Sequence, residues 1–395
     1  VRKLISKIEG DKIIWLIALL LSVLSAITVY SASSNLGFNK GDGNILGMLG
    51  NHVFYLGSGF ALMFLVHRLE YPTLGAIAKI LLVPIIFLLA YTLVNGVNVG
   101  NASRWITIPF TDRTFQPSAL AAVVLFTYIA RYLAISSYEK LDDFMAHFWG
   151  LVIPIFLVTG LILPANFSTA SLVFGVSLMI LFVGHYPLKN LFKIGGIALG
   201  GFTLFLLLVF AFPNINNRVA TWKSRIESFS SGSQEENYQV TRAKMAIAEG
   251  YLTGKGPGKS NLKNFLPQSN SDFIYAVLVE ELGTVTGIVT IFLYCLLLMR
   301  VLSIAKNAAS PFGSLLVSGL GFSLLAQAFV NLSVAVNLIP VTGQTLPLVS
   351  AGGTSIWMTC LALGMILSVS RGKNQVTEEK PTEMEALESN NLSHA

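Results

Sequence analysis

"SDFIYAVLVEELGTVTGIVTIFLYCLLLMR", residues 271–300, is the stretch whose reading decides the fold. Residues 284–299 hold no charge. With their apolar neighbours they approach the roughly twenty residues that cross a bilayer as a helix. Yet Asp272, Glu280 and Glu281 stand at or inside the start of this run. Ionised carboxylates are costly near hydrocarbon, so buried ones must face protein or water. On one continuous helix, Asp272 and Glu280 would lie about 12 Å apart along the axis and about 80° apart around it, where they could border one cavity. Glu281 would point nearly opposite Asp272. Plainer readings remain open: an N-cap for Asp272, behind Ser271, and pairing with a neighbouring helix for the glutamates.

The apolar pattern recurs along a chain of 395 residues, 53% hydrophobic and 12% charged. A soluble domain carries about twice that share of charge. Ten spans are predicted, at 13–33, 50–67, 74–95, 117–135, 146–164, 168–185, 192–212, 273–300, 312–335 and 350–370. They describe an all-α polytopic membrane protein, one transmembrane domain over 1–373. A large loop, about 213–272, separates the seventh and eighth helices, and the polar, acidic 374–395 is expected to be a disordered tail. The basic start "VRKLISKIEGDK" resembles a signal peptide, but the following run is too long, so it reads as an uncleaved first helix.

The net charge of +6 does not point to nucleic acid, because the basic residues sit mostly in short segments between spans. Lys3, Lys7, Lys12, Arg68, Lys140, Lys189, Lys193, Arg300, Lys306, Arg371 and Lys373 share one side, against Lys40, Arg104 and Arg113 in short loops on the other. The positive-inside bias puts both termini in the cytoplasm and loop 213–272 outside. Within that loop, "KMAIAEGYLTG" predicts a short amphipathic helix on the membrane or over a cavity. Cys295 and Cys360 lie in apolar runs as small core residues.

Several motifs decide less than they suggest. "TGKGPGKS", 253–260, invites a phosphate-loop reading, but Thr253 stands where that motif needs Gly and no strand precedes it. "GTVTG", with Gly283 and Gly287, reads as ordinary small-residue helix packing. "NLIPVTGQTLPLVSAGGTS", 337–355, is more informative. Its prolines and glycines break an apolar segment, and broken backbone at membrane depth is tolerated only inside protein or along a wet cavity. It reads as a loop folded back over a cavity. "NASRWITIPFTDRTFQPSAL", 101–120, holds Arg104 beside Trp105. By composition alone these suit an interfacial belt, although a guanidinium also pairs well with phosphate.

Taken in order, "VYSAS" at 29–33, "SRWI" at 103–106, "FQPS" at 115–118, "GKGPGKS" at 254–260, "SDFIYAVLVEELG" at 271–283 and "LIPVTGQTLPLVSAGGTS" at 338–355 resemble the SEDS family (shape, elongation, division and sporulation) of peptidoglycan polymerases. The resemblance covers nearly the whole membrane portion and leans toward the division type in "EGDKIIW" and the acidic tail. The chain departs from the family pattern at Ala119 and Ala122, where Glu and Lys are frequent, and at Asn166, Ser168, Gln268 and Asn270.

The resemblance implies a glycosyltransferase of the bacterial cytoplasmic membrane. It would polymerise lipid II, the undecaprenyl-diphosphate-linked disaccharide-pentapeptide, at the outer face. The implied partners are a class B penicillin-binding protein and other divisome membrane proteins. Asp272 matches the family's essential aspartate, as general base. Arg104 and Lys255 are the matching cations for the leaving pyrophosphate, with Trp105, Glu280, Glu281, Ser350, Gly352 and Gly353 as further substrate-site positions. No cofactor or metal ligand set is assigned, though a divalent cation, Mg or Mn, could share the charge. The alternatives are a lipid II flippase and a non-catalytic division scaffold.

Overall fold

The computed structural model describes residues 9–39, 45–99, 102–108, 113–136, 141–211, 234–260 and 271–392. Among them are α1 (Lys12–Asn39), α2 (Ile45–Val66), α3 (Tyr71–Asn95) and α4 (Pro117–Ile135). Next come α5 (Phe144–Ile162, with one π-helical turn at Phe148–Val152), α6 (Phe167–Val183) and α7 (Leu188–Ala211). The last four are α8 (Gln234–Glu249), α9 (Ile274–Lys306), α10 (Pro311–Ala335) and α11 (Gly353–Leu392). Nine are long and apolar enough to cross a membrane, and α6 is a tenth apolar helix of 17 residues. The expected all-α, multi-pass architecture is what the chain adopts.

Local sequence explains where several helices begin. Proline occupies the first turn of α3, α4 and α10, where its missing N–H costs nothing. Asp11, Asn166 and Ser310 turn side-chain oxygens onto the first free backbone N–H groups of α1, α6 and α10. The burial pattern suits hydrocarbon rather than water outside: Val94, Phe192 and Phe87 point outward, while Ser25, Thr28, Thr127 and Ser177 are wholly enclosed. Serine and threonine in such interiors satisfy themselves on the preceding turn, as Thr28 does on the Leu24 carbonyl.

At the centre, α4 lies against α3, α6 and α10, while α11 runs along α2 and α9 packs on α10 and α1. α8 covers the first part of α9: Val240, Ala243 and Ala246 join Phe273, Ala276, Val277, Val334 and Val341 in a separate small core. The amphipathic helix expected over 244–254 therefore lies earlier in the chain and ends at Glu249. Of the predicted large loop, 213–233 and 261–270 lie outside the described residues. α11 continues as helix through Leu392, over residues expected to be a disordered tail. Glu, Met, Ala and Leu there are good helix formers.

The sequence after α3 predicts a short loop. It instead forms a small antiparallel meander of β1 (Val97–Val99), β2 (Ala102–Thr107) and β3 (Thr114–Phe115). Val97 stands opposite Trp105, and Ile106 opposite Phe115.

Candidate active site

α9 is not one helix. At Gly283 the backbone takes φ 85° and ψ 166°, so the carboxylate-bearing first part meets the long apolar part at a hinge. The loop 250–256 is laid against this hinge. Lys255 N donates to the Glu280 carbonyl (2.9 Å), Gly256 N to the Glu281 carbonyl (2.9 Å) and Thr284 N to the Tyr251 carbonyl (2.8 Å). Glycine is required for the approach: a Cβ at Gly254 would sit 2.2 Å from the Glu281 carbonyl oxygen, and one at Gly283 2.2 Å from that of Leu252. "GTVTG" is thus a hinge at Gly283, while Gly287 makes room for Val279 and Tyr275 of the same folded-back helix. The two glycines therefore serve a fold of the chain on itself, not the expected packing between separate helices.

Glu280 and Glu281 are both fully enclosed, and both face this loop. Glu280 accepts from Lys255 Nζ (2.9 Å) and from Ser260 Oγ. Glu281 accepts from Ser260 N (3.1 Å) and from Ser31 Oγ of α1. Lys255 also pairs with Glu249. Burial works to lower the Lys255 pKa, but its hydrogen bonds to Glu249 and Glu280 outweigh that and hold it above the ordinary lysine value. The stability it contributes is therefore complete below the ordinary value and is lost only as pH rises through the raised one, well into the alkaline range. Lys255, Glu280 and Glu281 together fasten a loop, and none of them lines the cavity that holds Asp272. The expectation that Asp272 and Glu280 border one cavity fails because the helix starts at Ile274, beyond Asp272, and the loop claims both glutamates.

Asp272 lies just before the cap position of α9, in the wall of a cavity of about 410 Å³. Arg104 and Trp105 enter from β2, and Gln116, Ser118, Ala119 and Ala122 from the start of α4. Asn166 and Thr169 come from the start of α6, and Gly352 and Ser355 from the start of α11. Three helix N-termini thus converge on one space. Each brings the positive end of a helix dipole, which favours an anion. Arg104 adds a full positive charge, and its Nε–H donates to the Ala165 carbonyl (2.8 Å), which fixes the plane of the guanidinium. Asp272 is the one acidic side chain among the described lining residues.

The broken segment 338–352 folds inward as expected, with Leu346, Leu348 and Val349 buried. Its Gly343, at φ 71°, lies over the Asp272 carboxylate: a Cβ there would stand 3.8 Å from Oδ2. Ser350 is outside the cavity lining and acts as a tie, its Oγ donating to the Ser271 carbonyl and accepting from Leu346 N (both 2.8 Å). Gly353 opens α11 against the Tyr55 ring, where a Cβ would come within 2.4 Å.

Sequence reasoning missed Asn331 of α10. Its Nδ2 donates both to the Asp272 carbonyl (3.1 Å) and to the Gln344 carbonyl (2.8 Å), while Gln344 reaches Thr169 (2.9 Å). A lone Asn in an apolar run is a polar group that must be satisfied inside the bundle, and that was the available signal. Asn331→Leu should leave two buried carbonyls without this donor and cost about 2–4 kcal/mol. Thermal unfolding in detergent measures this, and an unchanged midpoint would remove Asn331 as the strut.

Among the described residues, no group of three His, Cys, Asp or Glu could hold a metal ion. Magnesium, however, often keeps several waters and binds through one or two carboxylates plus substrate phosphates. Asp272, Gln344 and Thr345 all line this cavity, and their oxygens would suit an ion of that kind brought in with a phosphorylated substrate.

Comparison with known proteins agrees with the motifs. The sequence model of the FtsW/RodA/SpoVE family, described as "Cell cycle protein", matches residues 11–375. Stage V sporulation protein E of Bacillus subtilis is 31% identical over 92% of this chain and 98% of its own length. A probable peptidoglycan glycosyltransferase FtsW of Xanthomonas oryzae is 32% identical over 90% of this chain and 72% of its own. Among solved structures, one similar chain comes from work on the structural coordination of polymerization and crosslinking by a peptidoglycan synthase complex. It is 26% identical with a TM-score of 0.71, over 93% of this chain and 99% of that one. The rod-shape-determining protein RodA of Thermus thermophilus is 25% identical with a TM-score of 0.65, over 92% and 97%. A match across nearly the whole span-bearing length, together with relatives above 30% identity, makes this chain a member of the FtsW/RodA/SpoVE family of multi-pass membrane proteins.

Proposed function

We propose that this chain is a peptidoglycan glycosyltransferase that polymerises lipid II at the outer face of the bacterial cytoplasmic membrane, for the septal wall in division. The observation that carries the reading is a cavity whose described lining holds one carboxylate, one oriented arginine and three converging helix N-termini. That set suits a reaction which removes one proton and releases a pyrophosphate. The Asp272 carboxylate takes the proton from the acceptor sugar hydroxyl as its oxygen bonds to the donor's anomeric carbon. The bond from that carbon to the phosphate oxygen breaks, and undecaprenyl diphosphate leaves with the electron pair. Arg104 and the helix ends stabilise the charge developing on it. Asp272 and the oxygens of Gln344 and Thr345 would hold a divalent cation, which would supply further positive charge for the pyrophosphate. The positive-inside count supports cytoplasmic termini and an outer site. Likeness to a chain of a peptidoglycan synthase complex supports a class B penicillin-binding protein as the cross-linking partner, among other divisome membrane proteins.

The test is glycan polymer formation from purified lipid II, with and without that partner. Polymer in either arm supports the reading. Its absence in both, with labelled lipid crossing vesicle membranes, would replace it with transport. Arg104→Lys keeps the charge but loses the planar fork and the Ala165 anchor, so polymer yield should fall about 10–100-fold, equivalent to one charged hydrogen bond or slightly more. A yield within twofold of wild type would take the pyrophosphate role away from Arg104.

A further inference from the structure

A second polar cavity, of about 350 Å³, opens at the other end of the bundle, where the start of α1 meets the last turns of α9 and residues 369–370 of α11. About 26 Å of helix separates Ser370, in its wall, from Gly353 beside the Asp272 cavity. That nearly matches the roughly 30 Å of hydrocarbon in a bilayer, so the two cavities face opposite headgroup layers. Lys12 and Arg300 stand against Asp11 in the described lining, which leaves one positive charge in excess. The Asp11 carboxylate is already engaged on both oxygens. Its Oδ1 accepts from Ile13 N (2.9 Å) and Ile14 N (3.2 Å), and its Oδ2 from Nε (2.9 Å) and Nη2 of Arg300.

What the wall still offers is donors. Lys12 Nζ, Arg300 Nη1 and the hydroxyls of Ser303 and Ser370 have no partner among the described residues. Ser370 is 8% exposed, and Gly10, at φ 83°, is folded onto it: a Cβ at Gly10 would stand 3.1 Å from Ser370 Oγ and 2.9 Å from the Leu367 carbonyl oxygen. A buried hydroxyl without a partner is costly, and a phosphate oxygen would accept from it. Ile13, Ile304 and Val369 supply apolar wall beside these donors. A cationic wall joined to an apolar one, at headgroup depth, suits an amphiphile that carries an anionic phosphate. We propose that this cavity binds the phosphate of an anionic phospholipid in the leaflet opposite the Asp272 cavity, and that the lipid ties α1 to α9 and α11. By the positive-inside count that leaflet is the cytoplasmic one. The site stands apart from the polymerase reading, because none of its residues lines the Asp272 cavity.

Thermal unfolding of the full chain in neutral detergent is followed with phosphatidylglycerol, phosphatidylcholine or inorganic phosphate added, and bound lipid is counted by native mass spectrometry. Phosphatidylglycerol should raise the midpoint and stay on the chain as one copy, since a ligand that binds only the folded state stabilises it. Phosphatidylcholine and inorganic phosphate should do neither. Arg300 is kept in every variant, because its loss would strand the enclosed Asp11 carboxylate. Lys12→Gln and Ser370→Ala should each raise the phosphatidylglycerol concentration needed by about fivefold, read against each variant's own lipid-free midpoint. Lys189→Gln, which changes an exposed lysine at the same end of the bundle, should leave that concentration unchanged. Equal protection by phosphatidylcholine, equal weakening by Lys189→Gln, or full affinity in both cavity variants overturns the proposal. Protection by inorganic phosphate at the same phosphate concentration overturns the assignment to a lipid.

Discussion

Replacing Asp272 with Asn is expected to cut polymerisation by about a hundred- to ten-thousand-fold, the range that a positioned general base contributes. The variant should fold, because the ties to neighbouring segments bypass the carboxylate. Asn331 holds the Asp272 carbonyl and Ser350 holds the Ser271 carbonyl, so the backbone around the site is fastened independently of the side chain's charge. Asn keeps the size of the group and removes its capacity to accept a proton at neutral pH. The measurement compares polymer from lipid II for both proteins, alongside thermal unfolding and capture of the penicillin-binding partner. Loss of polymer with folding and capture intact supports the base. Equal polymer from both proteins would remove Asp272 from the chemistry.

The largest expected effect on stability belongs to Gly283→Ala. Its Cβ would stand 2.2 Å from the Leu252 carbonyl oxygen and 2.7 Å from Gly254 N, and backbone atoms cannot rotate aside. The φ of 85° with ψ of 166° is a combination open essentially to glycine and costs about 1–3 kcal/mol for alanine. If the loop lifts, the bonds from Lys255 N, Gly256 N and Thr284 N go with it, at about 1 kcal/mol each. The sum is about 4–6 kcal/mol, a large part of the stability of a typical domain. Thermal or denaturant unfolding in detergent should show it, together with new protease sensitivity within 250–260. A loss below about 1 kcal/mol would mean that the loop is not held at the hinge in the way its hydrogen bonds indicate.

Much of this protein was legible in its sequence. Membrane crossing depends on the summed transfer of neighbouring apolar residues, which is a local property, so the spans emerged close to their observed places. The broken segment 338–352 was legible for a related reason: Leu346, Leu348 and Val349 among prolines and glycines can be neither helix nor solvated loop. The meander that presents Arg104 was not, because three short strands of mixed residues carry no clear alternation and are stabilised by pairing with each other.

The glutamates show most clearly where local reading ends. Helical periodicity can say which residues share a face of their own helix, but only while the helix is continuous, and Gly283 breaks it. It cannot say what faces them. Ser31, 250 positions away, and Ser260 took Glu281, while Lys255 took Glu280. The sequence by itself determined a polytopic helical bundle, an aspartate at the mouth of one span and a broken loop beside it, because hydrophobic transfer and backbone chemistry act residue by residue. Only the tertiary structure decided that Asp272 shares a cavity with Arg104 and three helix N-termini, while Glu280 and Glu281 are spent on a loop. Those choices are made by contacts between distant segments, where a buried charge must find whichever partner packing brings within reach.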